Sequence, residues 1–194
     1  MGVSLSWLAV KGGTRELVLG ALGLRGTGTC EEIPESDITG VELPTGWYLI
    51  VANRGYPPFM EENTLTRLSA TAEVVTCFVE EHVMCSSADR WQNGHQMWSV
   101  LHDAQRGIGH LEQKGDFPPT FASICARLRS EQQAAGGEKA DVDHIFYIPV
   151  ELAEALTGWR HDRRISGLGV NAFELLVMTA AMPKRSWIRR LLGV

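Results

Sequence analysis

At 194 residues, 44% hydrophobic and 21% charged, the chain has the size and apolar content of one ordinary soluble domain able to bury a sizeable core. Its net charge of −5 hides an asymmetry: residues 1–182 carry 14 basic and 23 acidic side chains, a net of −9, while Lys184, Arg185, Arg189 and Arg190 put +4 on residues 183–194. An acidic body disfavours general nucleic-acid binding, which needs clustered lysine and arginine on phosphates, and the longest apolar run, Phe173 to Met182 broken by Glu174, is about half of what a bilayer-spanning helix requires.

The eight prolines and twenty glycines sit at apparent element ends, and no repeat or low-complexity block is present. Cys30, Cys77, Cys85 and Cys125 form neither a C-x-x-C pair nor a zinc-type spacing with histidine, so they read as reduced thiols. No basic segment followed by an apolar run and a cleavage site opens the chain, and the expected location is cytoplasmic.

Met1 to Ser6 fits the loose N-myristoylation pattern, yet Leu5, Trp7 and Ala9 alternate with Ser4 and Ser6 as in a half-buried strand, the preferred reading for residues 3–10. After Gly12 and Gly13, Thr14 can cap a helix whose apolar face holds Leu17, Val18, Ala21 and Leu22, with Gly23 at its exit. Residues 25–46 read as a long irregular stretch rich in glycine, proline, threonine and acids, the kind of loop that carries function. Trp47 to Ala52 is a near-continuous apolar run of strand composition, expected at the centre of a sheet with both faces buried. A short helix over 61–70 follows, then a long hairpin, and a third strand over 109–114 that would complete a meander. Pro118-Pro119 starts a helix with Phe121, Ile124, Cys125 and Leu128 on one face; residues 143–148 read as a strand, and Pro149 as the first position of a helix ending at Gly158. The order implies an α+β domain over residues 1–182, with a mainly antiparallel sheet, a three-strand meander and helices packed on one side. Residues 183–194 form a basic amphipathic tail, with Trp187, Ile188, Leu191 and Leu192 on one helical face, suited to an acidic partner groove or an anionic membrane surface.

The hairpin concentrates the chemistry. A type I′ turn at Asn93-Gly94 pairs Gln92 with His95 and would set Cys85 opposite His102, a thiol beside an imidazole able to take its proton. The same register puts Glu81, Asp89, Trp91 and Trp98 on one face as an aromatic and acidic patch, and gathers His82, Asp103 and His110 on the other as weak candidate metal ligands. A one-residue slip would exchange the faces. The chain carries no H-E-x-x-H spacing, no nucleotide loop and no cofactor motif, and the dipeptides Asp143-His144 and His161-Asp162 lack the context of a catalytic pair.

Ser6 to Val10, Gly46 to Asn53 and Trp98 to Asp103 are similar to segments of small uncharacterised bacterial proteins, a resemblance that has no function attached and implies no residue roles. The leading expectation is a non-enzymatic cytoplasmic binding protein without cofactor. Its acidic surface, including Glu31, Glu32, Glu35, Glu81 and Asp89 with Trp91 and Trp98, would engage a basic protein partner, as an immunity protein engages a toxin. The alternative is a small hydrolase or metal-dependent enzyme built on His82, Cys85, His102, Asp103 or His110.

Overall fold

A computed structural model describes residues 2–53 and 55–179; the basic tail at 183–194 therefore lies outside the described residues. The chain begins with β1 (Ser4–Lys11) and α1 (Arg15–Leu22), followed by β2 (Leu24–Glu31), β3 (Ile38–Glu42) and β4 (Tyr48–Asn53). Next come α2 (Glu62–Ser69) and the consecutive strands β5 (Glu73–Glu80), β6 (Cys85–Gln92), β7 (His95–Asp103) and β8 (Glu112–Gly115). Two helices, α3 (Thr120–Ala134) and α4 (Tyr147–Thr157), precede the last described strand, β9 (Phe173–Met178). The fold is α+β: a nine-stranded open sheet in the order β2-β9-β3-β4-β1-β5-β6-β7-β8, with every pairing antiparallel.

The helices lie on both faces of the sheet, which corrects the expectation of one covered side. The reason is in the central strands, where both alternating sets of side chains are apolar. Leu5, Trp7 and Ala9 of β1, with Leu49, Val51, Val75 and Cys77, pack beneath Phe121 and Leu128 of α3 and Ile148 and Leu152 of α4. The intervening Leu8 and Val10, with Ile50, Ala52 and Val74, pack beneath Val18 and Leu19 of α1 and Leu65 and Leu68 of α2. Residues 48–53 thus occupy the doubly buried central position that their composition implies, paired to β1 on one edge and β3 on the other.

Local signals hold where the physics is local. Thr14 caps α1, its hydroxyl accepting from the Leu17 amide, and Gly23 closes the helix in the left-handed conformation at φ 65°. Asn93 and Gly94 have φ 54° and 75°, as a type I′ turn demands.

Other segments differ from expectation. Residues 25–46 contain two strands: β2 shows no apolar alternation because it is a largely exposed edge, bulged between Gly26 and Cys30, and its partner β9 is about 150 residues away in the chain. The meander has four strands, because residues 81–84 reverse the chain, with Met84 at φ 50°, so that β5 and β6 are separate. Residues 143–146 form a turn instead of a strand, held by the Phe146 amide donating to Asp143 Oδ1 at 3.1 Å, and α4 starts two residues before Pro149, which stays within the tolerated first turn. Among the described residues no helix is long and apolar enough to cross a membrane.

Leu49 is fully buried between β1 and β3, where its side chain has no space to be replaced by solvent. Leu49→Ala is expected to cost about 2–5 kcal/mol in a denaturant melt, whereas Leu17→Ala, at a position 69% exposed on α1, is expected to leave the midpoint nearly unchanged.

Candidate functional site

The hairpin does not assemble the chemistry expected of it. The tip follows the expected register, Gln92 opposite His95 and Trp91 opposite Gln96, but the ladder then shifts by one residue between Trp91 and Arg90. Cys85 consequently pairs with Asp103, while His102 pairs with Ser86 on the opposite face of the sheet. The proposed thiol–imidazole pair is therefore separated. Burial pushes the Cys85 thiol up to about 11, the opposite of an activated nucleophile. The same shift divides the tryptophans: Trp98 packs on the α3–α4 side, stacked on Phe117 at 5.5 Å, while Trp91 packs on the α1–α2 side. Both are buried, so the expected exposed aromatic patch is absent.

His102 has no solvent exposure. Its Nδ1–H donates to the His110 carbonyl at 2.7 Å, and Nε2 lies 2.8 Å from Asp143 Oδ2, so a single proton occupies the space between imidazole and carboxyl. Ser86 completes an apparent Ser–His–Asp trio, but both imidazole nitrogens are occupied and the Ser86 hydroxyl donates to the Phe146 carbonyl at 2.6 Å. No nitrogen remains to take a serine proton, and the trio ties β6 and β7 to the turn before α4. His110 Nδ1 accepts from the Asp103 amide at 3.0 Å, and His82 Nδ1 lies 2.7 Å from Glu80 Oε1. His82, Asp103 and His110 do not converge, and no group of three or more histidine, cysteine or acidic residues suited to a metal occurs among the described residues.

The acidic candidates separate into three environments. Glu31 is committed locally: its carboxylate accepts from the amides of Glu35 and Ser36 at 2.7 and 2.9 Å and from the Ser36 hydroxyl at 2.8 Å. Asp89 accepts from the Thr76 hydroxyl at 3.1 Å and the Gln96 amide at 2.9 Å, and burial pushes its carboxyl up to about 6. Glu32 and Glu35, by contrast, line a cavity the sequence did not announce, and Glu81 stands beside one of its wall residues, His161.

That cavity, of about 850 Å³, lies between the start of β1, the loop before β3 and the segment joining α4 to β9. Its walls are Val3, Leu5, Trp159, Ile165, Leu168 and Phe173, with Asn53, Glu32, Glu35, His161, Asp162, Arg163 and Arg164 supplying polar groups. Each wall is held from behind. The Asn53 amide nitrogen donates to the carbonyls of Pro34 and Ser36, both at 2.7 Å, and with Glu31 it locks the loop that projects Ile33. Trp159 meets Trp7 edge-on at 5.3 Å, and Arg160, only 6% exposed, is clasped by Asp162, Glu151 and Glu154 above the Tyr147 ring. These anchors fix the start of the 159–172 segment on the body.

The mouth exposes apolar surface: Ile33 is 49% and Val170 84% accessible. Inside, the His161 side chain is 2% exposed; Glu81 Oε1 stands 3.5 Å from its Nε2, while Glu81 Oε2 accepts from the Val3 amide at 2.8 Å. Burial lowers the His161 pKa from its ordinary value, leaving the ring uncharged at neutral pH. Glu32, Glu35 and Glu81 were picked from sequence for their charge. His161, Trp159 and the 165–173 apolar residues were missed, because only the return of β9 to the sheet brings them to β1.

Two outcomes check this description. Of the four thiols, Cys30 alone is exposed, so a chromogenic thiol reagent at pH 8 is expected to give a fast phase that Cys30→Ser removes, with Cys85 and Cys77 slow. Asp89 has a folded-state pKa above its unfolded value, so its contribution to stability is complete below about pH 4 and is lost as pH rises through about 6. Asp89→Asn should therefore raise the melting temperature at pH 8, by the equivalent of up to about 2 kcal/mol, and leave it unchanged at pH 4. No protein-family model matches the chain, and neither the curated proteins nor the solved structures provide a match to it, so the site's chemistry rests on its own geometry.

Proposed function

We propose that this chain is a non-enzymatic protein-binding module that captures an exposed apolar side chain of a basic partner in the cavity beneath the 159–172 segment. The observation that carries the reading is the cavity itself: about 850 Å³ of largely apolar space, opened by Ile33 and Val170 and flanked by Glu32, Glu35 and Asp162. Ordinary apolar interiors are closed, and an apolar recess with exposed lips is a place where a partner gains burial. Of the two arginines in the wall, Arg163 is paired with Glu154 at 2.8 Å and Arg164 lies 3.7 Å from Glu32, while Asp162 is engaged by Arg160 at 2.7 Å, which leaves Glu35 to face an incoming lysine or arginine. The net −9 on residues 1–182 adds a long-range attraction for a basic surface. Inhibition of a basic toxin by an immunity-type protein is one pairing of this kind, and a cytoplasmic setting accords with four unpaired cysteines.

Hydrolysis has less support. None of the described lining residues is a serine, threonine or cysteine, and Cys85 and His102 lie on opposite faces of the sheet.

Selection from a phage-displayed peptide library tests the proposal. The expected winners place one large apolar residue beside lysine or arginine, and their affinity falls as salt rises. Val170→Asp combined with Ile33→Asp should abolish binding, and Glu32→Lys with Glu35→Lys should weaken it by at least about tenfold at low salt, with thermal melts verifying that each variant is folded. Absence of enrichment, or peptides that bind the Ile33→Asp/Val170→Asp variant as well as the parent, would overturn the reading.

A further inference from the structure

Residues 164–172, between the anchors at Trp159 and Arg160 and the one at Phe173, belong to neither sheet nor helix. Their contacts with the apolar core on the α3–α4 side come from Ile165, Leu168 and Ala172, all partly buried. Lifting this stretch therefore exposes little apolar surface and breaks no strand ladder. His161, near the start of the crossing, is held differently, with a side chain only 2% exposed. Both of its ring nitrogens are buried, and neither has a hydrogen-bond partner among the described residues. Glu81, on the turn between β5 and β6, brings Oε1 to 3.5 Å from Nε2, while its Oε2 is taken by the Val3 amide at 2.8 Å. Arg160 and Asp162, the chain neighbours of His161, pair with each other at 2.7 Å, and Glu32, Glu35, Arg163 and Arg164 line the same cavity.

A neutral imidazole carries one N–H, which can point toward Glu81. An imidazolium carries two, and neither an acceptor nor solvent meets the second one at Nδ1. The ring can keep its place uncharged and must leave it to become charged. We propose that His161 is an acid-sensitive latch on the 161–172 segment: gain of a proton expels the ring from its slot, lifts the segment off the sheet and opens the cavity. This goes beyond the docking reading, because the latch belongs to the chain alone and operates with or without an occupant. Burial holds the His161 pKa below its ordinary 6.5, with Arg160 acting in the same direction and Asp162 and Glu81 against both. In the open segment the ring meets water and regains its ordinary value. The closed form is therefore fully held above about pH 6.5 and is lost as pH falls through the lowered value.

The test follows the full chain by methyl NMR from pH 8 to pH 5, with a neutral gadolinium chelate as the solvent probe. Leu5 and Leu168, both in the cavity wall, report opening, and Val18 and Leu19, buried in the opposite core, report global unfolding. Relaxation induced by the probe at the Leu5 and Leu168 methyls should rise several-fold toward pH 5, with its midpoint below 6.5, while Val18 and Leu19 stay protected. In His161→Phe, which has nothing to protonate, it should stay at the pH 8 level throughout. His161→Gln, also neutral, carries the test if His161→Phe fails to fold. Asp89 titrates in the same range, its carboxyl pushed up to about 6, so Asp89→Asn should keep the parent's response. Absence of a rise in the parent, an equal rise in His161→Phe or His161→Gln, or simultaneous exposure of Val18 and Leu19 would each overturn the latch. Loss of the response in Asp89→Asn would overturn it too. The docking reading is decided separately, by peptide selection at neutral pH.

Discussion

The architecture depends on three strands, β1, β4 and β5, whose side chains are apolar on both faces of the sheet. A strand of this kind cannot leave either face to water without exposing a row of large apolar groups, so each face must acquire a layer of its own. α1 and α2 supply one layer, α3 and α4 the other, and two separate apolar cores result. Everything distal to the centre is less constrained: β2 and β8, at the two edges, are largely exposed and polar.

The cavity is a consequence of how the chain closes this plan. After α4 the backbone must travel back across the sheet to place β9 between β2 and β3, and the crossing segment spans the ends of β1 and β4 without a helix or strand of its own. Trp159 and Arg160 pin the start of the crossing, and Phe173 at the head of β9 pins its end. Between these anchors the segment stands off the sheet, and the space beneath it is lined by residues from β1, from the loop before β3 and from the crossing itself. His161 in its wall is backed by Glu81, a pairing of positions that no local pattern connects.

The two buried histidines illustrate how environment assigns different roles to one residue type. His102 has each nitrogen matched, by the His110 carbonyl and by Asp143, and acts as a rivet between β7 and the turn before α4. His161 has a carboxylate nearby and no hydrogen bond, beside open space. The first is spent on folding, while burial keeps the second uncharged in the cavity wall.

Much of the architecture was legible because its causes are local. Thr14 and Gly23 bound α1 through caps, Asn93-Gly94 makes a type I′ turn because both positions accept positive φ, and the run from Tyr48 to Ala52 announces a doubly buried strand. What the sequence could not supply was anything set by distant pairing. β2 is a strand only because β9 pairs with it. The bulge opposite Trp91, where Met97 has no partner, moves the Trp98–Asp103 side chains to the face opposite the one a regular ladder predicts. For the same reason the expected Cys85–His102 pair and Trp91–Trp98 patch dissolved, while Glu32 and Glu35 border one cavity. The sequence by itself determined an α+β domain with a central antiparallel sheet, its caps and its turns, since propensity and periodicity act within a few residues. Tertiary structure alone decided which helices cover which face and where the cavity opens, since both depend on backbone hydrogen bonds between segments more than a hundred residues apart.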